Sequence, residues 1–417
     1  MKRNLAPTVV ALAAGAACAQ DVNFEVLRGM YPLDMSTDGS VLVGNDVNFE
    51  TVRWTADTGV VNLGRGTFPL GVGAGSPDCS DDGTKVSATI ITADGQFATQ
   101  GLWTEGVGWV DLMPPTPSDG GSIDQALGSA WGISGDGSSV VGLYWRPGNF
   151  DTGGAHASIA SAPDAVMDLG SGGGNSRANH ANFDGSVVVG WDERFDGLWQ
   201  PAVWENGIRS IIQPYEGFTA ASVVTGDGNI IGGYGYDDLF QYFPATLWHR
   251  DGAGGWTEQV LGVLPGTTGP TGLTAPNAMT PDASTVVGFN RFNLAVAASG
   301  FVWTADTGMV DIKDWLADRG VVVPANMLII DATCISNDGR TLAGVGVNIN
   351  TGEPLGFRVS PFCRVDFNND SLVNFFDISK FITAFLVPSV SADFNNDGVL
   401  NAFDIFDYIS AFNTGCP

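Results

Sequence analysis

Histidine is almost missing from this sequence. There are three in 417 residues, His156, His180 and His249, with no spacing that lets one element present two of them to a metal. Basic residues are also few: 18 Lys and Arg stand against 45 Asp and Glu, a formal charge of −27. So acidic a surface repels nucleic acid and anionic membrane, and neither is expected as a partner. Beyond the first nineteen residues no apolar run is long enough to span a bilayer. No G-x-S-x-G elbow occurs, and Gly172-Gly173-Gly174 precedes no helical pattern, so it reads as a loop between strands and not as a phosphate cradle. Cysteine is limited to five.

What is plentiful points to β structure. Gly reaches 57 residues and aromatics 10%, a mixture that suits many short strands joined by tight turns. The length fits one large repeat domain with an accessory module. Residues 1–19 read as an export signal: Lys2 and Arg3, an apolar stretch from Leu5 to Ala17, then Ala17-Cys18-Ala19 before Gln20. A lipoprotein reading through Cys18 is weaker, because Gly15 stands where a lipobox carries Leu. The expected localisation is secreted or cell-surface. Cleavage leaves Cys79, Cys334, Cys363 and Cys416, which allow three pairings in an oxidising compartment. Cys363 and Cys416 bracket the C-terminal segment, so a clasp between them is the natural pairing. Cys79 and Cys334 precede repeat turns and read as small buried residues.

One pattern recurs seven times, a polar turn, an apolar strand and a Gly, with Asp282-Ala283 in place of Asp-Gly in the sixth copy and Ala88 in place of the last Gly in the second. It runs Asp38 to Gly44, Asp82 to Ala88, Asp136 to Gly142, Asp184 to Gly190, Asp227 to Gly232, Asp282 to Gly288 and Asp338 to Gly344. The Asp spacings are 44, 54, 48, 43, 55 and 56, a mean of 50, which is the period of propeller blades. A second landmark follows each Asp: Trp54, Trp103, Trp204, Trp248 and Trp303, with Ile159 and Phe357 taking that place in repeats three and seven. Each repeat reads as four short strands, and four-stranded sheets repeated radially make a β-propeller over residues 20–361. Repeat seven lacks a fourth strand, while Val22–Leu27 has no blade of its own, so the N-terminal strand is expected to close the ring and remove an exposed edge. The turns, the Trp strand and Gly154-Ala155-His156-Ala157 resemble extracellular repeats named for a His-Ala-Phe motif, over residues 22 to 360. That resemblance implies a secreted repeat protein and no defined chemistry.

The C-terminal segment, residues 362–417, carries two matched acidic loops 27 residues apart. The first offers Asp366, Asn368, Asp370, the Leu372 carbonyl, Asn374 and Asp377. The second offers Asp393, Asn395, Asp397, the Val399 carbonyl, Asn401 and Asp404. Both fit a twelve-residue calcium loop, whose alternate side chains curl hard oxygens round the ion, so two Ca2+ are expected. Gly398 at the sharp turn makes the second loop the better site, since Ser371 stands there in the first. Each loop opens a helix with an apolar stripe, Phe375, Ile378, Ile382 and Phe385, then Ala402, Ile405, Ile409 and Phe412. Loop, helix, linker, loop, helix, with Asp at position 12, resembles a dockerin. Cellulosomal dockerins carry hydroxyl residues at loop positions 10 and 11, where this chain has Phe375-Phe376 and Ala402-Phe403. The implied partner is a cohesin-like or other surface or sorting receptor.

Catalysis has no signature in these residues. The repeated Asp are explained by their turns, although carboxylates meeting in the channel would be needed for a glycosidase pair. Trp131, Tyr144, Trp145, Trp191 and Trp199 are candidates to stack on sugar rings, against the commoner fate of core packing. The expectation is an all-β protein: a seven-bladed propeller with a small helical calcium module, secreted and non-catalytic, that binds or displays. The alternative is a polysaccharide-active enzyme or carbohydrate-binding subunit delivered by the tail.

Overall fold

The computed structural model describes residues 22–65, 75–95, 97–112, 128–145, 154–163, 165–293, 298–361, 365–367, 373–389, 392–395 and 399–414. The proposed signal segment, Cys363, Asn368, Asp370, Leu372, Asp397 and Cys416 lie outside them. Seven antiparallel four-stranded sheets form the blades of a propeller. Their first, innermost strands are Tyr31–Met35, Asp78–Cys79, Gly128–Ile133, Ser176–Ala181, Ala220–Val224, Leu273–Met279 and Met327–Ile335. Val22–Leu27 pairs with Pro354–Pro361 from Val22↔Pro361 to Leu27↔Gly356, so the N-terminal strand is the outer strand of blade seven. Phe24 stacks on Phe357 with centroids 5.5 Å apart. The ring closes through its first strand, which pairs the edge that Pro354–Pro361 would otherwise expose.

Each Asp-Gly turn is built alike. In blade one the Ser36 hydroxyl donates to Asp38 Oδ1 at 2.7 Å, the Ser40 N–H donates to the same oxygen, and Gly39 N–H donates to Ser36 O. Gly39 takes φ +72°, where L residues are strained, and blade six places Ala283 there at φ +52°. The hydrogen bonds from Ser80 and Thr84 hold the Asp82 carboxyl below its usual range. The turn aspartates are thus structural.

The recurring Gly at the end of the pattern has a different cause. Six inner strands carry a β-bulge, whose extra residue is Leu33, Trp131, Asn179, Ser222, Asn277 or Thr333. A bulge pushes one inner-strand carbonyl toward its neighbour. A Cβ on Gly44, Gly142, Gly190, Gly288 or Gly344 would lie 1.9–2.1 Å from that oxygen. Blade five uses Gly233, one residue past the Gly232 of the sequence pattern, with Ala220 O at 2.2 Å. Blade two has Ala88 instead, and its inner strand pairs through Asp78↔Ser87 and Cys79↔Val86 with no shift.

The Trp landmark needs correction in two blades. By register, Trp54, Trp204, Trp248 and Trp303 oppose Leu42, Val188, Ile231 and Val286. The residues opposing the matching positions in blades three and seven are Ala160 and Val359, not Ile159 and Phe357. Side chains alternate with period two, so matching by bulk alone slips off register. Cys79 and Cys334 are buried and unlinked.

In the tail, helices Phe375–Leu386 and Ala402–Thr414 repeat each other's contacts at the 27-residue spacing. Phe381 stacks on Tyr408 at 3.9 Å, and each takes the edge of its own loop's aromatic, Phe367 or Phe394, at 5.3 and 5.4 Å. The expected stripe is corrected here. Phe375 and Ile382 are exposed, and the buried face centres on Asp377, Phe381 and their counterparts Asp404 and Tyr408. The capping box turns Asp377 inward: Asn374 N–H donates to its Oδ2 at 2.8 Å, matched by Asn401 N–H to Asp404 Oδ2.

Candidate functional site

The inner strands enclose a central cavity of about 660 Å3. One end of it is ringed by the residue before the motif Asp in every blade: Thr37, Asp81, Gly135, Phe183, Gly226, Pro281 and Asn337. Backbone hydrogen bonds run round this ring, from Asn337 N–H to Thr37 O, Thr37 N–H to Asp81 O, Asp81 N–H to Gly135 O and Phe183 N–H to Gly226 O, at 2.8–3.0 Å. Pro281 has no N–H to contribute. The six bulge residues form the next tier, all of them lining the cavity. Bulges re-aim side chains, and here they turn one residue onto the axis in each of six blades.

Carboxyl groups gather on blades one, two and seven. Asp34 Oδ2 accepts from Cys79 N–H at 2.9 Å, and Asp78 Oδ2 accepts from Ile133 N–H at 2.9 Å, so each acid ties its blade to the next. Burial, the Asp34 charge and the hydrogen bond that protonated Asp78 donates to the Asp34 carboxylate push Asp78 well above the ordinary carboxylate range. Burial also raises Asp81, with Asp34 adding to it. Burial pushes Asp331 up to about 7, opposed by the Asn277 amide, which donates at 2.7 Å. The Asp34–Asp78 contact is the meeting of channel carboxylates that a glycosidase would need. Its geometry differs, since acid pairs for glycoside hydrolysis stand roughly 5–9 Å apart and these are hydrogen-bonded to each other.

Blade four, across the ring, supplies the basic groups. His180 is held neutral by burial, and Val224 N–H donates to its Nδ1 at 3.4 Å. Arg177 Cζ lies 3.6 Å from the Trp131 ring and 5.6 Å from Trp191. Trp191 stacks on Trp199 at 4.3 Å, and Trp199 meets the edge of Phe218 at 5.8 Å. Three of the five candidate sugar-stacking aromatics, Trp131, Trp191 and Trp199, therefore come together, although Trp191 is buried. The other two do not join them, and Tyr144 donates to Asp168, which also holds His156 at 2.9 Å. Sequence reasoning missed Asp34, Asp78, Asp331 and Arg177. The signal that could have found them is position: Asp34, Asp78, Asp331 and Arg177 all lie on inner strands, a few residues before a motif Asp or Gly.

No family model matches the chain, and no curated protein does. Solved structures do. The chain is similar to an oligogalacturonate lyase from Vibrio parahaemolyticus, at 11% identity and TM-score 0.50, covering 82% of this chain and 98% of that one. It is also similar to the β-propeller domain of the Trilobed protease from Pyrococcus furiosus, at 12% identity and TM-score 0.46, over 79% and 95%. A TolB from Acinetobacter baumannii matches at 14% identity and TM-score 0.43, over 65% of this chain and 62% of that chain, so less than two thirds of the TolB is spanned. The shared property is the fold. At these identities a propeller carries no activity from one chain to another.

Of the proposed calcium ligands the described residues include Asp366, Asn374, Asp377, Asp393, Asn395, Val399, Asn401 and Asp404. Asp366, Asp377 and Asp404 are buried. The Asn401 N–H holds the Asp404 carboxyl below its usual range. Among the described residues no three His, Cys, Asp or Glu side chains stand close enough to hold a metal, and half of the proposed ligands of the first loop lie outside that set.

Proposed function

We propose that this is an exported binding or display protein, in which the propeller channel receives a small ligand and the tail anchors or sorts the molecule. The observation that carries the reading is the cavity of about 660 Å3, walled by bulge residues from six blades and polarised between acids and a cation. Pockets of this size with a few convergent polar groups are ligand sites. Asp34 and Asp78 are each already committed to a backbone N–H of the neighbouring blade, which supports binding over acid–base catalysis by that pair.

The tail belongs to the same proposal. Its donor set fits calcium: carboxylate and amide oxygens recur in both loops, and Asp366, Asp377 and Asp404 are buried where an unneutralised carboxylate is costly. Asp366, Asn368, Asp370, Leu372, Asn374 and Asp377 would hold one ion, and Asp393, Asn395, Asp397, Val399, Asn401 and Asp404 the other. Bound calcium would supply folding energy to the module. Its receptor would be cohesin-like or another surface or sorting protein. A second reading, a carbohydrate-binding or polysaccharide-active subunit, is favoured by one observation, the Trp131–Arg177–Trp191–Trp199 stack beside the channel. Titrating the full chain with a panel of monosaccharides, sugar acids and short peptides tests the channel reading. Binding that disappears in Ser222→Trp, which fills the axis, supports it, and binding indifferent to that change overturns it.

A further inference from the structure

Among the described residues Arg177 is the one cation on the channel wall, in a chain with only 18 basic residues. Its guanidinium is fixed on every side but one. Trp131 covers one face at 3.6 Å, and Trp191 stands at 5.6 Å. The Nε–H donates to Asn179 Oδ1 at 2.7 Å, and Asn179 is itself held by its amide donating to Ala221 O at 2.7 Å. The acids nearest along blade four are engaged elsewhere: Asp192 pairs with Arg209, and Glu193 accepts from Asn175. Among the described residues no carboxylate reaches Arg177. What stays open is the Nη1/Nη2 edge, two parallel N–H donors in one plane, in a cavity lined across the ring by Asp34, Asp331 and Thr333.

We infer that this edge takes the carboxylate of a small polyhydroxylated acid, with the chemistry of a uronic acid. The guanidinium fork matches a carboxylate in two parallel charge-assisted hydrogen bonds; phosphate can meet the same fork but lacks the hydroxyl groups for the facing wall, and a neutral group lacks the charge. Aromatic stacking keeps the fork from turning, so little ordering is lost when the acid binds. Hydroxyl groups on the rest of the ligand find acceptors on the acidic wall. The cavity has room for about one or two sugar rings. This rests on the reading of the channel as a binding site.

Glucuronate and glucose differ only at the carboxylate carbon, and they are the probes. Titrations of the full chain by calorimetry and tryptophan fluorescence should show saturable glucuronate binding, with glucose and inorganic phosphate at least tenfold weaker. Arg177→Lys keeps the charge but loses the fork, and should weaken glucuronate about tenfold or more, with an unchanged melting temperature. Trp131→Phe should weaken it less. Equal binding of glucose or phosphate overturns the inference, as does glucuronate binding untouched by Arg177→Lys, or none at all. If Ser222→Trp abolishes binding while Arg177→Lys does not, the arginine assignment falls and the channel reading stands. If glucuronate binding survives Ser222→Trp, both fall.

Discussion

Replacing Gly44 by Ala adds one methyl group and should be among the costliest single changes in the propeller. The added Cβ would lie 1.9 Å from Tyr31 O, 2.8 Å from Tyr31 C and 3.1 Å from the Pro32 Cα. All three are backbone atoms of the inner strand, which cannot rotate away as a side chain can. An oxygen must retreat by more than 1 Å to reach ordinary contact, and it sits at the bulge that turns Leu33 onto the axis. Overpacking of this kind costs roughly 3 kcal/mol or more, a large share of a domain's stability of about 5–15 kcal/mol. The melting temperature should drop by roughly 5 °C or more. Gly252→Ala is the internal control, since nothing lies within 4 Å of that Cβ and its φ is unstrained. There the loss of unfolded-state entropy should leave stability equal or raise it by about 0.5 kcal/mol. Thermal denaturation of both variants decides the matter. If Gly44→Ala melts within about 1 °C of Gly252→Ala, the bulge does not set the need for glycine.

Four further outcomes follow from the same structure. Deleting residues 22–27 removes six paired positions and the Phe24–Phe357 stack, so calorimetry should show a large fall in the propeller transition; an unchanged transition would refute closure by this strand. Asp331 is raised to about 7, so it favours folding when protonated. That contribution is full below the unfolded value near 4 and is lost as pH rises to about 7, amounting to a few kcal/mol at most. Asp331→Asn should flatten stability between those limits, and an unchanged pH profile would sink the assignment. Chelator should remove tail helicity by circular dichroism while leaving the propeller transition in place, and Asp397→Ala should weaken calcium binding more than Asp370→Ala; a tail indifferent to chelator would end the calcium proposal.

The repeat period, the blade count and the closing strand are all legible in the residues, because each depends on local rules. Asp-Gly needs a turn with positive φ, alternating apolar residues need a two-sided sheet, and an orphan strand at one end needs a gap at the other. The matched tail loops are legible for the same reason, since their spacing is fixed along one chain. Register in blades three and seven was not, as Ala160 lies one residue past Ile159 and Val359 two past Phe357, and choosing the bulkier residue misses the pairing position. The buried face of the tail helices was likewise set by Asp377 and Phe381 turning inward, with Phe381 against Tyr408 of the second helix, which a single helix's stripe does not reveal. The channel belongs wholly to the tertiary structure. Asp34, Asp78 and Asp331 lie 44 and 253 residues apart along the chain, and a ring of seven blades brings the last blade beside the first. Trp131, Arg177 and Trp191 come from two neighbouring blades, and the bulge that points Trp131 at the guanidinium is a backbone irregularity announced in the sequence only by the Gly142 facing it.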